Sequence, residues 1–155
     1  MKSNEKTIIL VVDDNPMDVR MIRYALAEEK NWPTDITVTD DGEKAIHYLL
    51  QQEPYDGVPR PDLLILDLNL PKRSGTEVLR MVRMSTELSS LPVIVLSSSP
   101  QDVIKDAVTQ STFTADLYLS KPATVKEYLA LGRAFRRCHN QMNQVAPEET
   151  EQIQA

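Results

Sequence analysis

The sequence predicts an α/β fold in which a five-stranded parallel sheet is covered by helices on both faces. Short, uninterrupted apolar runs at residues 8–12 and Leu63–Leu66 are typical of strands buried on both sides. Segments whose apolar residues recur at helical spacing alternate with these runs. With 155 residues, the chain has the length of one domain with a substantial core.

Five segments have the character of strands. Thr7–Val12 and Leu63–Leu66 are mostly apolar, whereas Thr34–Thr39 alternates apolar and polar residues and is predicted to be a half-exposed edge strand. Two further apolar runs, residues 91–96 and 115–119, are predicted as the fourth and fifth strands.

Capping and spacing signals mark the first three helices. Asn15 and Pro16 suit the N-cap and the first position of the first helix. Gly42 precedes a second helix that is predicted to end near Gln52, and apolar spacing predicts a third at Gly75–Met84.

Two more helices are predicted in the last third of the chain. Ser99 followed by Pro100 suits the start of a fourth helix. Thr124 and Glu127 have the spacing of a capping box, which opens a long fifth helix. Residues 1–142 are therefore expected to form one domain, and residues 143–155, polar and acidic, are expected to be a disordered tail.

Acidic residues fall at one particular place in this architecture. Parallel strands joined by helices favour right-handed crossovers, and the flavodoxin-like order 2-1-3-4-5 has its switch point between strands one and three. Those two strands end at Asp13-Asp14 and at Asp67. Because ligands bind outside the carboxyl ends of such strands, the sequence predicts a site there.

Composition limits the partners of this site. The formal net charge of −6 and the pI of about 4.9 argue against nucleic acid or an anionic membrane as a partner. No apolar stretch is long enough to span a membrane. The only cysteine, Cys138, excludes an intrachain disulfide, which is consistent with a cytoplasmic location.

The chemistry of the acidic residues indicates a divalent cation. Three carboxylates in one crevice repel each other unless a cation joins them, and Mg²⁺ prefers such oxygen ligands. A carboxylate can also attack a phosphoryl group, so Asp67 is a candidate nucleophile. Ser97 and Lys121, at the ends of strands four and five, are candidates to contact the phosphoryl oxygens.

A joint motif thus follows four of the strands: Asp13-Asp14, the run LDLNLP at residues 66–71, Ser97 and Lys121-Pro122. This motif resembles the receiver domain of two-component response regulators. The resemblance covers residues 7–142, nearly the whole chain, and the combination of residues is highly specific.

The resemblance implies a role for each residue of the motif. Asp67 would accept a phosphoryl group from a phosphohistidine, supplied by a sensor histidine kinase or a phosphotransfer protein. Asp13, Asp14 and Asp67 would hold Mg²⁺ together with the backbone carbonyl of Asn69. Lys121 would bind the phosphoryl group.

Other family positions concern switching. Ser97, where threonine is commoner, and Tyr118 match the hydroxyl and aromatic positions that respond to phosphorylation. Asn69 and Ser99 match positions that tune dephosphorylation. The bond between Lys121 and Pro122 is expected to be cis, as is typical of the family.

A narrower resemblance concerns the regulators of cyanobacterial and bacterial phytochromes. It rests on residues 11–16, a proline-rich loop with residues 60–63, and residues 66–73. Those regulators are single-domain receivers, and this chain likewise lacks a segment that reads as an effector domain. The resemblance implies a switch of protein–protein interactions, with a phytochrome-like kinase as partner. A homodimer through the fourth helix, fifth strand and fifth helix is a further expectation.

Two other functions compete with this interpretation. A phosphatase of the haloacid-dehalogenase type also uses a strand-end aspartate, but it needs a second aspartate where this chain has Asn69. A receiver-like scaffold that is never phosphorylated is the other alternative. Taken singly, Asp14 could only favour a helix N-terminus, Ser97 and Lys121 could be surface or turn residues, and Tyr118 could be core. The complete motif favours the receiver interpretation. We expect that this protein catalyses only its own phosphorylation and dephosphorylation and is not an enzyme that turns over a separate substrate.

Overall fold

The computed structural model of the chain describes residues 5–98 and 113–154. Five parallel strands form one sheet in the order β2-β1-β3-β4-β5, which confirms the predicted topology. The strands are β1 (Thr7–Val12), β2 (Thr34–Thr39), β3 (Leu63–Leu66), β4 (Val93–Ser97) and β5 (Leu117–Ser120). Four helices are described: α1 (Pro16–Ala27), α2 (Gly42–Leu49), α3 (Gly75–Met84) and a C-terminal helix (Val125–Gln154).

The helices cover both faces of the sheet, as predicted. Alternate residues of the central strands point to opposite sides, so Leu10 and Leu64 pack with α2 and α3. Ile9 and Ile65 pack on the other face, beneath α1 and the C-terminal helix. The three central strands are buried along nearly their whole length, which explains their continuous apolar sequence. Strand β2 lies at one edge and is only partly buried.

Side chains cap the helix starts, and the caps at Asn15 and Thr124 were predicted. The Asn15 side chain accepts hydrogen bonds from the backbone of Met17 and Asp18, at 2.9 and 3.4 Å. Ser74 and Glu77 form a capping box at α3. The Thr124 hydroxyl accepts the backbone N–H of Glu127 at 3.2 Å. The predicted fourth helix, with Ser99 and Pro100, lies outside the described residues.

Three boundaries differ from the expected ones for local reasons. Strand β4 begins at Val93, because Pro92 has no N–H to donate to the sheet. Strand β5 begins at Leu117. At the preceding residue, the side chain of Asp116 accepts the backbone N–H of Val93 at 2.8 Å. Helix α2 ends at Leu49, before Gln51 adopts a left-handed backbone with φ of 57°.

Two expectations about the end of the chain have different outcomes. Among the described residues, the one cis peptide bond joins Glu53 and Pro54, so Lys121–Pro122 is trans and the expected cis bond was wrong. The C-terminal helix is continuous to Gln154. The division into a domain of residues 1–142 and a tail stays a prediction. None of the described helices is long and apolar enough to cross a membrane.

Candidate functional site

The predicted acidic residues meet at the carboxyl end of the sheet. Val12 and Leu66 are register partners in the β1–β3 pair, so the residues that follow them lie side by side. Asp13, Asp14 and Asp67 each offer a carboxylate oxygen, and these oxygens all lie within 4.8 Å of one another. Asp13 and Asp67 are buried, whereas Asp14 is exposed. The cluster therefore reaches solvent at Asp14.

Asp13 is fixed by the backbone on either side of it. Its N–H donates to the carbonyl of Thr39 on β2 at 3.1 Å. Its Oδ1 accepts the N–H of Asn15 at 2.9 Å, so the turn that caps α1 also orients this carboxylate. Burial raises the pKa of Asp13, and the hydrogen bonds from Asn15 and Lys121 oppose that rise. A cation beside Asp13 would offset the cost of keeping its charge buried.

Asp67 is held by the loop that joins β3 to α3. Its N–H donates to the carbonyl of Val12 at 3.0 Å, and its Oδ1 accepts the N–H of Asn69 at 3.1 Å. Gly75 donates its N–H to the carbonyl of Leu68 at 3.0 Å. A Cβ on Gly75 would overlap the carbonyl oxygen of Asp67. The absence of a side chain at Gly75 therefore lets α3 begin directly against the backbone of Asp67.

Lys121 joins the cluster from β5, as predicted. Its N–H donates to the carbonyl of Ser97 at 2.7 Å, which ties it to the end of β4. Its ammonium lies 3.0 Å from Oδ2 of Asp13 and 3.2 Å from Oδ2 of Asp67. Burial by itself would lower the pKa of Lys121, but the hydrogen bonds to Asp18 and Asp13 outweigh it and the net pKa is raised. Lys121 is thus a permanent cation beside the two buried carboxylates.

Two further residues of the site were missed by the sequence analysis. Asp18, in the first turn of α1, accepts the Lys121 ammonium at 2.8 Å through Oδ2. The hydroxyl of Tyr128, on the C-terminal helix, donates to Oδ1 of Asp18 at 2.9 Å. Burial and the neighbouring Asp18 raise the pKa of Tyr128, so its phenol stays protonated. The sequence marks Asp18 only as an acidic residue in the first turn of a helix. Such residues are common because the helix dipole favours negative charge there, so the position gave no sign of a functional role.

The two predicted switch residues lie on neighbouring strands. Ser97 ends β4, is fully buried and is the register partner of Ser120. Tyr118 is partly buried and packs with the residues on the α2 and α3 side of the sheet. Its hydroxyl accepts the N–H of Ala115 at 2.8 Å. Their roles in switching stay predictions, as does the role of the Asn69 carbonyl as a metal ligand. The influence of Asn69 and Ser99 on dephosphorylation also stays a prediction, and Ser99 lies outside the described residues.

The donor set fits a hard divalent cation. Carboxylate oxygens are the ligands that Mg²⁺ takes in proteins, usually one or two with waters completing the shell. Asp13, Asp14 and Asp67 offer three carboxylates at this edge of the sheet, and two of them are buried. The same edge presents the Asp67 carboxylate with a lysine beside it, an arrangement suited to attack on a phosphoryl group.

Comparison with known proteins supports this interpretation. The response regulator receiver domain family matches residues 9–131. Response regulator Rcp1 of Synechocystis sp. is 33% identical over 126 residues, which cover 81% of this chain and 84% of that protein.

Solved structures give the same picture. The phosphorylated cyanobacterial phytochrome response regulator RcpA is 33% identical, with a TM-score of 0.76 over 83% of this chain and 90% of that one. The Mn²⁺-bound form of response regulator Rcp1 is 31% identical, with a TM-score of 0.74 over the same shares of the two chains. The fold described above is thus shared with proteins of one family.

Proposed function

This chain belongs to the response regulator receiver family, and we propose that its Asp67 accepts a phosphoryl group from a phosphohistidine. The observation that carries the proposal is the buried Asp67 carboxylate, which lies beside the Lys121 ammonium and within 4.8 Å of oxygens of Asp13 and Asp14. A buried nucleophile with a fixed cation beside it is what phosphoryl transfer requires, since the transfer depends on positioning and charge neutralisation.

The transfer exchanges one bond to phosphorus for another. A carboxylate oxygen of Asp67 attacks the phosphorus, and the P–N bond to the donor imidazole breaks with its electron pair going to the nitrogen. The other ring nitrogen of the phosphohistidine carries a proton, so the imidazole leaves as a neutral ring, and Asp67 becomes an acyl phosphate. Lys121 stabilises the negative charge on the phosphoryl oxygens throughout. Because Asn15 and Asn69 orient the carboxylates of Asp13 and Asp67, little reorganisation is needed.

Mg²⁺ is the cation that we assign to this site. Asp13, Asp14 and Asp67 would hold it, with the backbone carbonyl of Asn69 as a further ligand. When bound, Mg²⁺ supplies positive charge to the phosphoryl oxygens and reduces the repulsion between them and the carboxylates. The clustered oxygens and the burial of Asp13 and Asp67 support this assignment.

Phosphorylation of Asp67 changes the surface that the chain presents to its partners. The new charge on Asp67 attracts the Ser97 hydroxyl, and Tyr118 on the adjacent strand responds by a change of side-chain position. This shifts the population between two states of the surface around β5 and the C-terminal helix. The chain acts as a switch of protein–protein interactions and not as a turnover enzyme. A phosphatase of the haloacid-dehalogenase type needs an aspartate as general acid where this chain has Asn69, which favours the switch over the phosphatase.

The partner that we propose is a phytochrome-type histidine kinase or a phosphotransfer protein. The support is the similarity to a phytochrome response regulator, RcpA, across 83% of this chain. A second copy, joined through the predicted fourth helix, β5 and the C-terminal helix, is a further candidate partner. Nucleic acid is not expected to bind, given the net charge of −6, and cytoplasmic location remains part of the proposal.

Transfer from a kinase tests this function. A phytochrome-type histidine kinase, labelled on its histidine with radioactive phosphate, is mixed with the chain and Mg²⁺. The proposal expects the label to move to this chain and to be lost from it on alkaline treatment, as for an acyl phosphate. Label that remains on the kinase would contradict the partner, and alkali-stable label would contradict the aspartyl phosphate.

A further inference from the structure

Asp18 differs from the other carboxylates of the site. It does not follow a strand but projects from α1, and it makes the shortest of the three contacts to the Lys121 ammonium, at 2.8 Å. The contacts from Asp13 and Asp67 are 3.0 and 3.2 Å. An ammonium has three N–H donors, and three carboxylates surround this one. Asp18 therefore takes a share of Lys121 that would otherwise go to Asp13 and Asp67.

Tyr128 fixes Asp18 in this position. Its hydroxyl donates to Oδ1 of Asp18 at 2.9 Å, while Oδ2 faces Lys121. Tyr128 is almost fully buried, and the side chain of Asp18 is 19% exposed. A charged acceptor that is hydrogen-bonded on both oxygens and largely shielded from water has one preferred orientation. The arrangement links α1, the end of β5 and the C-terminal helix.

We propose that Asp18, held by Tyr128, is the resting partner of Lys121 and limits the pairing of the shared ammonium with Asp13 and Asp67, the carboxylates that would bind Mg²⁺. This inference rests on the proposed function of the same site. Asp18 acts as a positioning residue, because it lies outside the cluster of three carboxylates and works through its contact with Lys121. Without Asp18, Lys121 would pair more strongly with the metal-binding carboxylates and compete with Mg²⁺ for them.

A structural role for Asp18 makes a different prediction. A first-turn carboxylate stabilises a helix through the dipole whether or not Lys121 is present. Simple through-space attraction of Mg²⁺ to the charge of Asp18 is likewise independent of Lys121. Only the proposed role makes the effect of Asp18 on Mg²⁺ binding depend on the lysine. A double-mutant cycle separates these cases.

The experiment measures the dissociation constant of Mg²⁺ by isothermal titration calorimetry. The variants are Asp18→Asn, Lys121→Met and the double variant, each with its fold checked by circular dichroism. We expect Asp18→Asn to weaken Mg²⁺ binding roughly tenfold in the wild-type background. In the Lys121→Met background, we expect a loss of no more than about twofold. Glu43→Gln, which removes a first-turn carboxylate from α2, is the matched control and should leave binding unchanged.

Tyr128→Phe provides a second test without any change of charge. It frees Asp18 to leave Lys121, so we expect Mg²⁺ binding to weaken in the same direction but less than with Asp18→Asn. Unchanged binding in Asp18→Asn, or an equal loss in both backgrounds, would overturn the role of Asp18 and leave the proposed function intact. A wild-type chain that binds no Mg²⁺ would overturn both.

Discussion

The ammonium of Lys121 lies 3.2 Å from Oδ2 of Asp67, although the two residues are 54 positions apart in the chain. The contact exists because both residues follow strands that end at the same edge of the sheet. Lys121 is 10% exposed and Asp67 is 5% exposed, so the charge of each is poorly screened by solvent. The pair joins a nucleophile to the cation that would meet the incoming phosphoryl group.

Removal of this cation should slow phosphorylation. We expect Lys121→Met to lower the rate of labelling by acetyl phosphate in Mg²⁺ about a hundredfold, because the phosphoryl oxygens lose a fixed positive charge. Lys44→Met removes an exposed lysine that pairs with Asp40 and is the control, with an expected rate equal to that of the wild type. The rates are read from intact-protein mass spectra over time. A Lys121→Met variant that labels as fast as Lys44→Met would show that the lysine has no part in the transfer.

Mg²⁺ should stabilise the folded chain. A ligand that binds only the folded state adds about 2.7 kcal/mol to the free energy of unfolding when its concentration is a hundred times its dissociation constant. We expect this gain in urea unfolding of the wild type, and we expect most of it to be absent in Asp13→Asn. Asp35→Asn, an exposed change on β2, should retain the full gain. An undiminished gain in Asp13→Asn would remove Asp13 from the set of metal ligands.

Gly75→Ala should damage both the fold and the site. The new Cβ would overlap the carbonyl of Asp67, so α3 or the loop before it must shift, at a cost of about 1–3 kcal/mol in unfolding free energy. Labelling by acetyl phosphate should also slow, since the Asp67 backbone moves. Gly57→Ala is the control, because Gly57 has a φ of 87° but open space around it. It should lose stability yet label normally, and equal labelling by both variants would contradict the role given to Gly75.

His139 should make stability depend on pH. Burial lowers the pKa of His139 below its ordinary value of 6.5, although Asp62 opposes this. The folded state therefore holds fewer protons than the unfolded state just below pH 6.5. The protonation of His139 therefore costs no stability above pH 6.5, and the free energy of unfolding falls as the pH drops below that value.

The expected result is a steeper loss of unfolding free energy below pH 6.5 in the wild type than in His139→Gln. Trp32, the only tryptophan, reports the transition, because its ring centroid lies 5.8 Å from that of His139. Parallel curves for wild type and His139→Gln would exclude His139 as the source.

Much of the site could be predicted from the sequence because it depends on strand ends. A buried strand has a nearly continuous apolar sequence, so the first polar residue after it marks the edge of the sheet. Asp13 and Asp67 follow such runs, and the parallel order brings them together. Lys121 could be placed by the same reasoning, with the help of the family motif.

The contacts between helices could not be predicted in this way. The connection from Lys121 through Asp18 to Tyr128 depends on how α1 and the C-terminal helix are packed against each other. Gly132 lets the two helices approach closely, because a Cβ there would overlap the carbonyl of Ala25. Helical periodicity gives the buried face of each helix, but not the side chains that meet across two helices. The end of α2 was likewise missed, because Gln51 gives no signal for a left-handed backbone.

Labelling of Asp67→Asn by acetyl phosphate in the presence of Mg²⁺ tests the central claim most directly. The asparagine has nearly the same shape but no anionic oxygen to attack phosphorus, so the account predicts that the wild type gains one phosphoryl group and Asp67→Asn gains none. Asp35→Asn, an exposed control, should label as the wild type does. Undiminished labelling of Asp67→Asn would contradict the assignment of Asp67 as the phosphoryl acceptor.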